Sequence, residues 1–435
     1  MLSRWELLRD IERNMNKETL RKKRYMAEKR FKLYGQGAIA LALLFLCVFI
    51  FQIFSKGYSA FQKTWLMVEV TYSADLLYLN TKTPTLESLA EADFYELSET
   101  SVLNLDPQVP EKNMRDIIKM FAFTFEEEIK AYLLKNPGKL GKVVKIPLTA
   151  SDDLDQVHKG NYPRDIPEDR RRVNDYQLSL FDKMNDRGDV VTNFNFSFFS
   201  NADSREAELA GIASSLVGSI YSILVCLIFA FPIAVFAGIY LEEFAPKNWL
   251  TDFLEVNINN LAAVPSIVFG LLGLGVLLAV FDLPRSTPLV GGITLGLMTL
   301  PTIIIACRVS LKAVPPSIKE AALAMGASKM QTTFHHTVPL SMPGTLSGTI
   351  IGLAQALGET APLILIGMVA FINNIPGTPL DPAASLPVQI YIWSESAERG
   401  FVEKVSACIM VLMAFLIIMN LGAQIIRHKF EKKWA

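Results

Sequence analysis

The string with the most chemical content is Glu320-Ala321-Ala322, continued by Leu323, Met325 and Gly326 and, thirteen residues beyond that glycine, by Pro339. Pro315 and Pro316 stop one helix and start another, Ser317 is placed to cap the new one, and the glycine predicts a turn into a second short helix. Ala322, Leu323 and Met325 would then form a small apolar knob with the Glu320 carboxylate at its rim, a shape suited to a groove on another protein. A second acid, Glu359, stands with Thr360 in an otherwise uncharged stretch. An unpaired carboxylate at the centre of a span costs about 2.5–3.5 kcal/mol, so it should face a polar pathway or an arginine from a partner. Just before it, Gly344, Gly348 and Gly352 recur every four residues, leaving one helix face bare so that another helix can come close.

Bond-breaking chemistry has no comparable signature. Cys47, Cys226, Cys307 and Cys408 all fall in apolar runs, and His158, His335, His336 and His428 lack the spacing of metal ligands, so neither disulfide, metal nor bound cofactor is expected. No phosphate loop of glycine, four residues, then Gly-Lys-Ser/Thr occurs; ATP, if used, must be hydrolysed by another chain, and this one is expected to be no enzyme.

The elements that must carry these residues are apolar. Of 435 residues, 51% are hydrophobic and 20% charged. Uncharged stretches long enough to cross a bilayer run over 33–55, 209–241, 256–281, 286–307, about 344–371 and 405–426, predicting a mainly α, six-span membrane helix bundle. Residues 1–32 hold 11 Lys and Arg against 5 acids, and the tail adds Arg427, Lys429, Lys432 and Lys433, which puts both termini in the cytoplasm. Residues 33–55 then read as an uncleaved signal-anchor, 56–208 lie outside, 308–343 inside, and the core with its five further spans occupies 209–427, ahead of a short tail at 428–435. The loop 242–255, with four acids and one lysine, opposes this charge rule, but acids weigh little in it.

Residues 56–208 carry 19 basic and 26 acidic side chains, a net of −7, while the remainder nets +6. Strand patterns at Trp65–Tyr72, Lys142–Leu148 and Val190–Phe199, helical spacing over Glu111–Leu134, and a long loop over Asp152–Arg172 predict an α+β domain inserted after the first span. The acid runs Glu126–Glu128 and Asp152, Asp153, Asp155 read as solvated faces, and Arg170–Arg172 as no anion site. No segment is both basic and aromatic-rich, so no nucleic-acid partner is expected.

With those residues in place, the spacing around Glu320 and Gly326 resembles the EAA motif of binding-protein-dependent ABC importers: Glu-Ala-Ala, three residues, Gly, nine residues, Ile, any residue, Leu-Pro. His336 and Val338 stand at the Ile and Leu positions. Residues 232–245 (PIAVFAGIYLEEFA), 264–275 (VPSIVFGLLGLG), 326–332 (GASKMQT) and 354–362 (AQALGETAP) are similar to the PstA-type permease subunits of the phosphate ABC importer. The likeness covers about 205–430 and leaves the external block aside. It implies the fold of a type I ABC importer permease in the bacterial inner membrane, surrounded by membrane lipid. It also implies a PstC-type permease partner, a cytoplasmic PstB-type ATPase dimer that holds ATP and Mg, and an extracytoplasmic PstS-type phosphate-binding protein. The coupling residues would be Glu320, Ala321, Ala322, Leu323, Met325 and Gly326; Glu359 and Thr360 would line the path, with Gln355 where many relatives have arginine. An importer of another oxyanion and a membrane-anchored ligand sensor are the rival readings.

Overall fold

The computed structural model describes residues 4–79 and 85–430; residues 1–3, 80–84 and 431–435, and with them Lys432 and Lys433 of the basic tail, lie outside the described residues. The chain divides into two units, 1–55 and 56–435. The first is helix α1 (Arg4–Gly57), whose last two residues belong to the second unit, so the charged segment and the first apolar run form one continuous helix.

In the acidic block the most regularly alternating segment is the centre of the sheet. Strand β1 (Gln62–Thr71) lies between β2 (Val143–Thr149) and β3 (Val190–Phe194), antiparallel to both, with Trp65 opposite Thr149 on one side and Val191 on the other. Leu66, Val68, Val70 and Tyr72 all point to one face and are fully buried, as a period of two requires. Helices α2 (Leu86–Glu91), α3 (Tyr95–Leu103), α4 (Met114–Ile118), α5 (Phe125–Lys135), α6 (Asp152–His158), α7 (Asp175–Asp186) and α8 (Ser197–Ser200) accompany the sheet, and Leu97, Ile117, Leu133 and Phe181 share its core.

Three local expectations fail for identifiable reasons. The helix expected over 111–134 is two helices, because Phe121 leaves the helical path to bridge Ala150 beside the sheet. The loop expected from Asp152 begins as α6. The strand expected to Phe199 stops at Phe194, and the phenylalanines beyond it turn back toward Phe61, with Phe198 edge-on to that ring at 5.7 Å.

The acids of α6 are not a solvated face either. Asp155 is buried, accepts the Thr64 N–H at 3.1 Å and pairs with Lys159 at 2.5 Å, and Lys159 also holds Glu403 at 2.8 Å. Asp152 accepts the Gly400 N–H at 3.0 Å. Gly400 begins the final long helix, α18 (Gly400–Phe430), so a side chain of α6 caps the N-terminus of that apolar helix. A Cβ at Gly400 would stand 1.8 Å from Asp152 Oδ1, which is why this position has none.

Between these parts run α9 (Ala213–Ile239), α10 (Trp249–Leu261), α11 (Ser266–Leu272), α12 (Pro288–Lys312), α13 (Pro316–Ala324), α14 (Lys329–Thr332), α15 (Val338–Gly358), α16 (Ala361–Leu365) and α17 (Leu386–Ser394). Among the described residues four helices are long and apolar enough to span a membrane, within α1, α9, α12 and α18, and a fifth span arises if the pair 249–261 and 266–278 counts as one, bent by 105°. The fifth expected span, 344–371, is broken: α15 ends at Gly358 and α16 begins at Ala361. Helix α12 is central, packed against both α9 and α15, with 61% of its most apolar window buried against 11% for α18.

Burial raises the carboxyls of Asp152 and Glu208 to about 7, against the pull of the Gly400 N–H on the former and of a backbone N–H on the latter. An acid whose pKa is raised by folding binds more protons folded than unfolded between its two pKa values, so stability falls as pH rises from about 4 through 7. Thermal unfolding of the detergent-solubilised protein should therefore occur higher at pH 5.5 than at pH 8, by roughly 2 °C or more. Asp152→Asn, which keeps the acceptor, should reduce that difference; an unaltered pH dependence would refute the assignment.

Candidate functional site

The segment around Glu320 folds as a helical hairpin whose corners are both set by sequence. Helix α13 starts after Pro315 with Pro316 in its first turn, which places Ser317 inside the helix and leaves it no capping role. It ends in a Schellman motif: Gly326, at φ +89°, donates its N–H to Leu323 O at 2.9 Å, and the Ala327 N–H reaches Ala322 O at 3.1 Å. Two residues on, Ser328 opens α14 with a capping box, its hydroxyl accepting the Gln331 N–H while the Gln331 side chain accepts the Ser328 N–H. A π-turn over Thr333–Thr337 then feeds directly into α15.

The hairpin has an inner and an outer face. Ala322 is buried, so the expected knob of Ala322, Leu323 and Met325 is corrected by one residue: the alanine points inward. Leu323 is 49% exposed, Met325 87% and Met330 62%, and Glu320 and Ala321 are exposed beside them.

Behind this face lies a set of ion pairs that the spacing of motifs did not announce. Lys319, next to Glu320, pairs with Glu243 at 2.5 Å, and the Lys329 ammonium lies 5.4 Å from the centre of the Phe244 ring. Both partners belong to a π-turn, Tyr240–Phe244, that closes α9. Arg308, near the end of α12 and only 9% exposed, reaches Glu242 at 3.4 Å and also Glu255 of α10, while Lys312 stands 3.5 Å from Glu242. Three acids of the loop that opposed the charge rule are thus each paired with a cation. The hairpin is tied to α9 directly, and α9 to α10 and α12 through Arg308. The signal was present in the sequence as that one loop of the wrong sign.

Two interrupted helices meet on the far side of α12. Glu359 is the C-cap of α15, in an extended conformation at φ −80° and ψ 124°, and Thr360 precedes α16; both are partly buried. A glutamate at a helix C-terminus has the macrodipole against it, so this placement does not serve the helix. Helix α16 lies on α11, where a Cβ at Gly270 would come 2.7 Å from Pro362 Cα. Broken helices whose freed backbone groups face protein or a cavity are how membrane transporters build binding sites.

The three glycines of α15 are not equivalent. A Cβ at Gly344 would lie 2.3 Å from Ser310 Oγ and one at Gly348 only 2.0 Å from Ala306 Cβ, whereas at Gly352 the nearest atom, Ile303 Cγ1, is an ordinary 3.7 Å away. The close approach to α12 lies at the first two. Comparable crossings that the periodicity did not single out occur at Gly238 against Cys307 and at Gly292 against Val225.

Residues 230–432 match the family described as binding-protein-dependent transport system inner membrane component, and residues 18–168 match a domain of unknown function, DUF3333. The chain is 31% identical to the phosphate transport system permease protein PstA of Yersinia pestis over 51% of its own length and 73% of that protein. It is likewise 31% identical to PstA of Mycobacterium leprae, over 54% and 77%. Among solved structures it aligns with an inward-facing MetNI methionine ABC transporter at 16% identity and a TM-score of 0.41, over 49% of this chain and 95% of that one.

Gly348→Ala should lower stability by about 1–3 kcal/mol, since the added methyl has only the α12 backbone and Ala306 to displace. Gly352→Ala, with room for its methyl and a gain in helix propensity, should be neutral or mildly stabilising. Unfolding midpoints of the two variants side by side check the contrast, and equal effects would contradict the packing.

Proposed function

The chain belongs to the PstA-type family of binding-protein-dependent transport system inner membrane components, multi-pass permeases of ABC importers, and we propose that it forms one half of the translocation path of an inorganic phosphate importer. In this reading it pairs with a homologous PstC-type permease and takes phosphate from an extracytoplasmic PstS-type binding protein. A PstB-type ATPase dimer, which holds ATP and Mg, drives it. Both termini are cytoplasmic, residues 56–208 are extracytoplasmic, and this chain itself hydrolyses nothing.

The observation that carries the proposal is the hairpin of α13 and α14, apolar on its open face and ion-paired on its back to the end of α9. Leu323, Met325 and Glu320 enter a cleft of the ATPase. When ATP closes the dimer, the hairpin is displaced. Lys319 and Lys329 pull on Glu243 and Phe244, and Arg308 passes the displacement to α10 and α12. Stiff short-range contacts at both faces of the hairpin let a shift of a few ångströms favour one packing of the bundle over another.

Glu359 and Thr360 occupy the break where that repacking has most freedom. A carboxylate in an anion path has a use: it accepts a hydrogen bond from a protonated phosphate oxygen, which fully ionised sulfate cannot donate. Gly344 and Gly348 keep α15 against α12 while the break adjusts.

Three measurements test this in the reconstituted four-component complex. Glu359→Gln should reduce phosphate uptake at normal assembly, and unchanged uptake would sink its role in the path; stimulation of ATPase activity by sulfate as strongly as by phosphate would favour another oxyanion as cargo. Lys319→Glu should uncouple ATP hydrolysis from uptake by severalfold, and adding Glu243→Lys should restore much of it. A double variant no better than the single would show that the pair does not transmit.

A further inference from the structure

A cavity of about 410 Å³ lies beside the cap of α18, lined by Lys56, Gln156, Asn161, Arg399, Val402 and Glu403. Its position follows from the chain. Lys56 comes directly after the uncharged run 33–55, and Arg399, Val402 and Glu403 come directly before the uncharged run 405–426. Gly57, next to Lys56, lies tightly against α18, since a Cβ there would stand 2.8 Å from the Ala407 nitrogen and the Met410 sulfur. Lys56 and Arg399 thus each flank an uncharged run in the sequence, which puts the cavity at the boundary between hydrocarbon and water.

The lining is built to receive negative charge. Gln156 is 2% exposed; its Oε1 accepts from Asn161 at 3.1 Å, which orients the amide and leaves its buried Nε2 as a donor with no partner among the described residues. A buried N–H without an acceptor is costly, and native structures supply one. Arg399 is held over the Tyr162 ring at 4.6 Å, while Lys56 is exposed and forms no ion pair among the described residues. The carboxylate in the lining, Glu403, is engaged by Lys159 at 2.8 Å and Asn161 at 3.3 Å, and the lining itself holds two cations against this one acid. A guanidinium, an ammonium and an oriented amide N–H around a space of this size suit a tetrahedral phosphate group, whose oxygens take charge-assisted and bidentate hydrogen bonds. Val402, 58% exposed, gives the mouth an apolar side.

We propose that this cavity binds a phosphate-bearing anion at the membrane boundary, held by Arg399, Lys56 and the Gln156 amide. The chemistry is shared by the headgroup of an anionic phospholipid and by free phosphate; anionic headgroups are the form concentrated at such a boundary. The ligand would sit against Glu403 and Asn161, the residues through which the inserted domain grips α18, so its binding would stiffen that junction. The proposal rests on the chain spanning a membrane and is independent of what it imports.

The test uses the full chain in its permease complex, delipidated in detergent and titrated separately with phosphatidylglycerol, phosphatidylcholine and inorganic phosphate, reading retained lipid by native mass spectrometry and the unfolding midpoint. Phosphatidylglycerol should bind in preference to phosphatidylcholine and raise the midpoint. Lys56→Gln with Arg399→Gln should weaken that binding about tenfold, Gln156→Met severalfold, and Lys56→Arg should retain it. A response to inorganic phosphate that the double variant loses would identify the free ion as ligand; phosphatidylglycerol binding that millimolar phosphate does not displace would identify the lipid. Binding of both probes unchanged in the double variant, or a wild type indifferent to charge, would overturn the site. Lys56→Gln alone alters only an exposed side chain and keeps the test available should the double variant misfold. Phosphate uptake by the same variants is read separately, so loss of lipid binding with normal uptake cannot be confused with failure of the transport assignment.

Discussion

Helices surrounded by hydrocarbon gain little by hiding apolar side chains from one another, so a bundle of them depends on how closely their backbones can approach. In this chain that constraint is met around α12. Gly344 and Gly348 of α15 lie against Ser310 and Ala306, Gly238 of α9 against Cys307, and Gly292 of α12 itself against Val225. Each contact is too tight for one more carbon. Helix α12 is therefore held on two sides, and the ion pairs of Arg308 and Lys312 lie at its end.

Ion pairs link elements distant in sequence in two clusters. In one, Arg308, Lys312 and Lys319 gather Glu242, Glu255 and Glu243. In the other, Lys159 is shared by Asp155 and Glu403, Asp152 caps Gly400, and the buried Lys404 donates to Ala210 O at 2.5 Å. Burial alone would lower the Lys159 pKa, but the two carboxylates together hold it above the ordinary lysine value. Breaking one member of such a buried set leaves the others unpaired, which is far more costly than any surface pair. Residues of α6 and of the turn after it are therefore joined to α18 by buried ion pairs and a hydrogen bond.

Much of this was legible in the residues. The α+β character of 56–208, the hairpin around Gly326 and the apolar runs of α9, α12 and α18 follow from local rules: alternation, capping, and a glycine where φ must be positive. The errors had local and remote causes. The helix over 111–134 broke because Phe121 found a strand partner, Ser317 lost its cap to Pro315, Ala322 turned inward, the 256–281 run bent by 105°, and the run through Glu359 stopped at Gly358. Phe121 yielded to a remote partner, Ala150, whereas Ser317 was displaced by the neighbouring prolines.

The sequence by itself determined what each segment is able to be: its period, its caps, its apolar length, and the motif register that identifies the family. Those are properties of neighbours along the chain, and short-range sterics and hydrogen bonding decide them. Only the tertiary structure decided which charges are partners. Asp152 and Gly400 are 248 residues apart and Lys159 and Glu403 are 244 apart. A carboxylate reads the same in a sequence whether it will be solvated or buried against a lysine. The acids that looked like solvent-facing runs in α6, and like an exception to the charge rule in the loop after α9, became the fixed points of the molecule once the folded chain had excluded water from them.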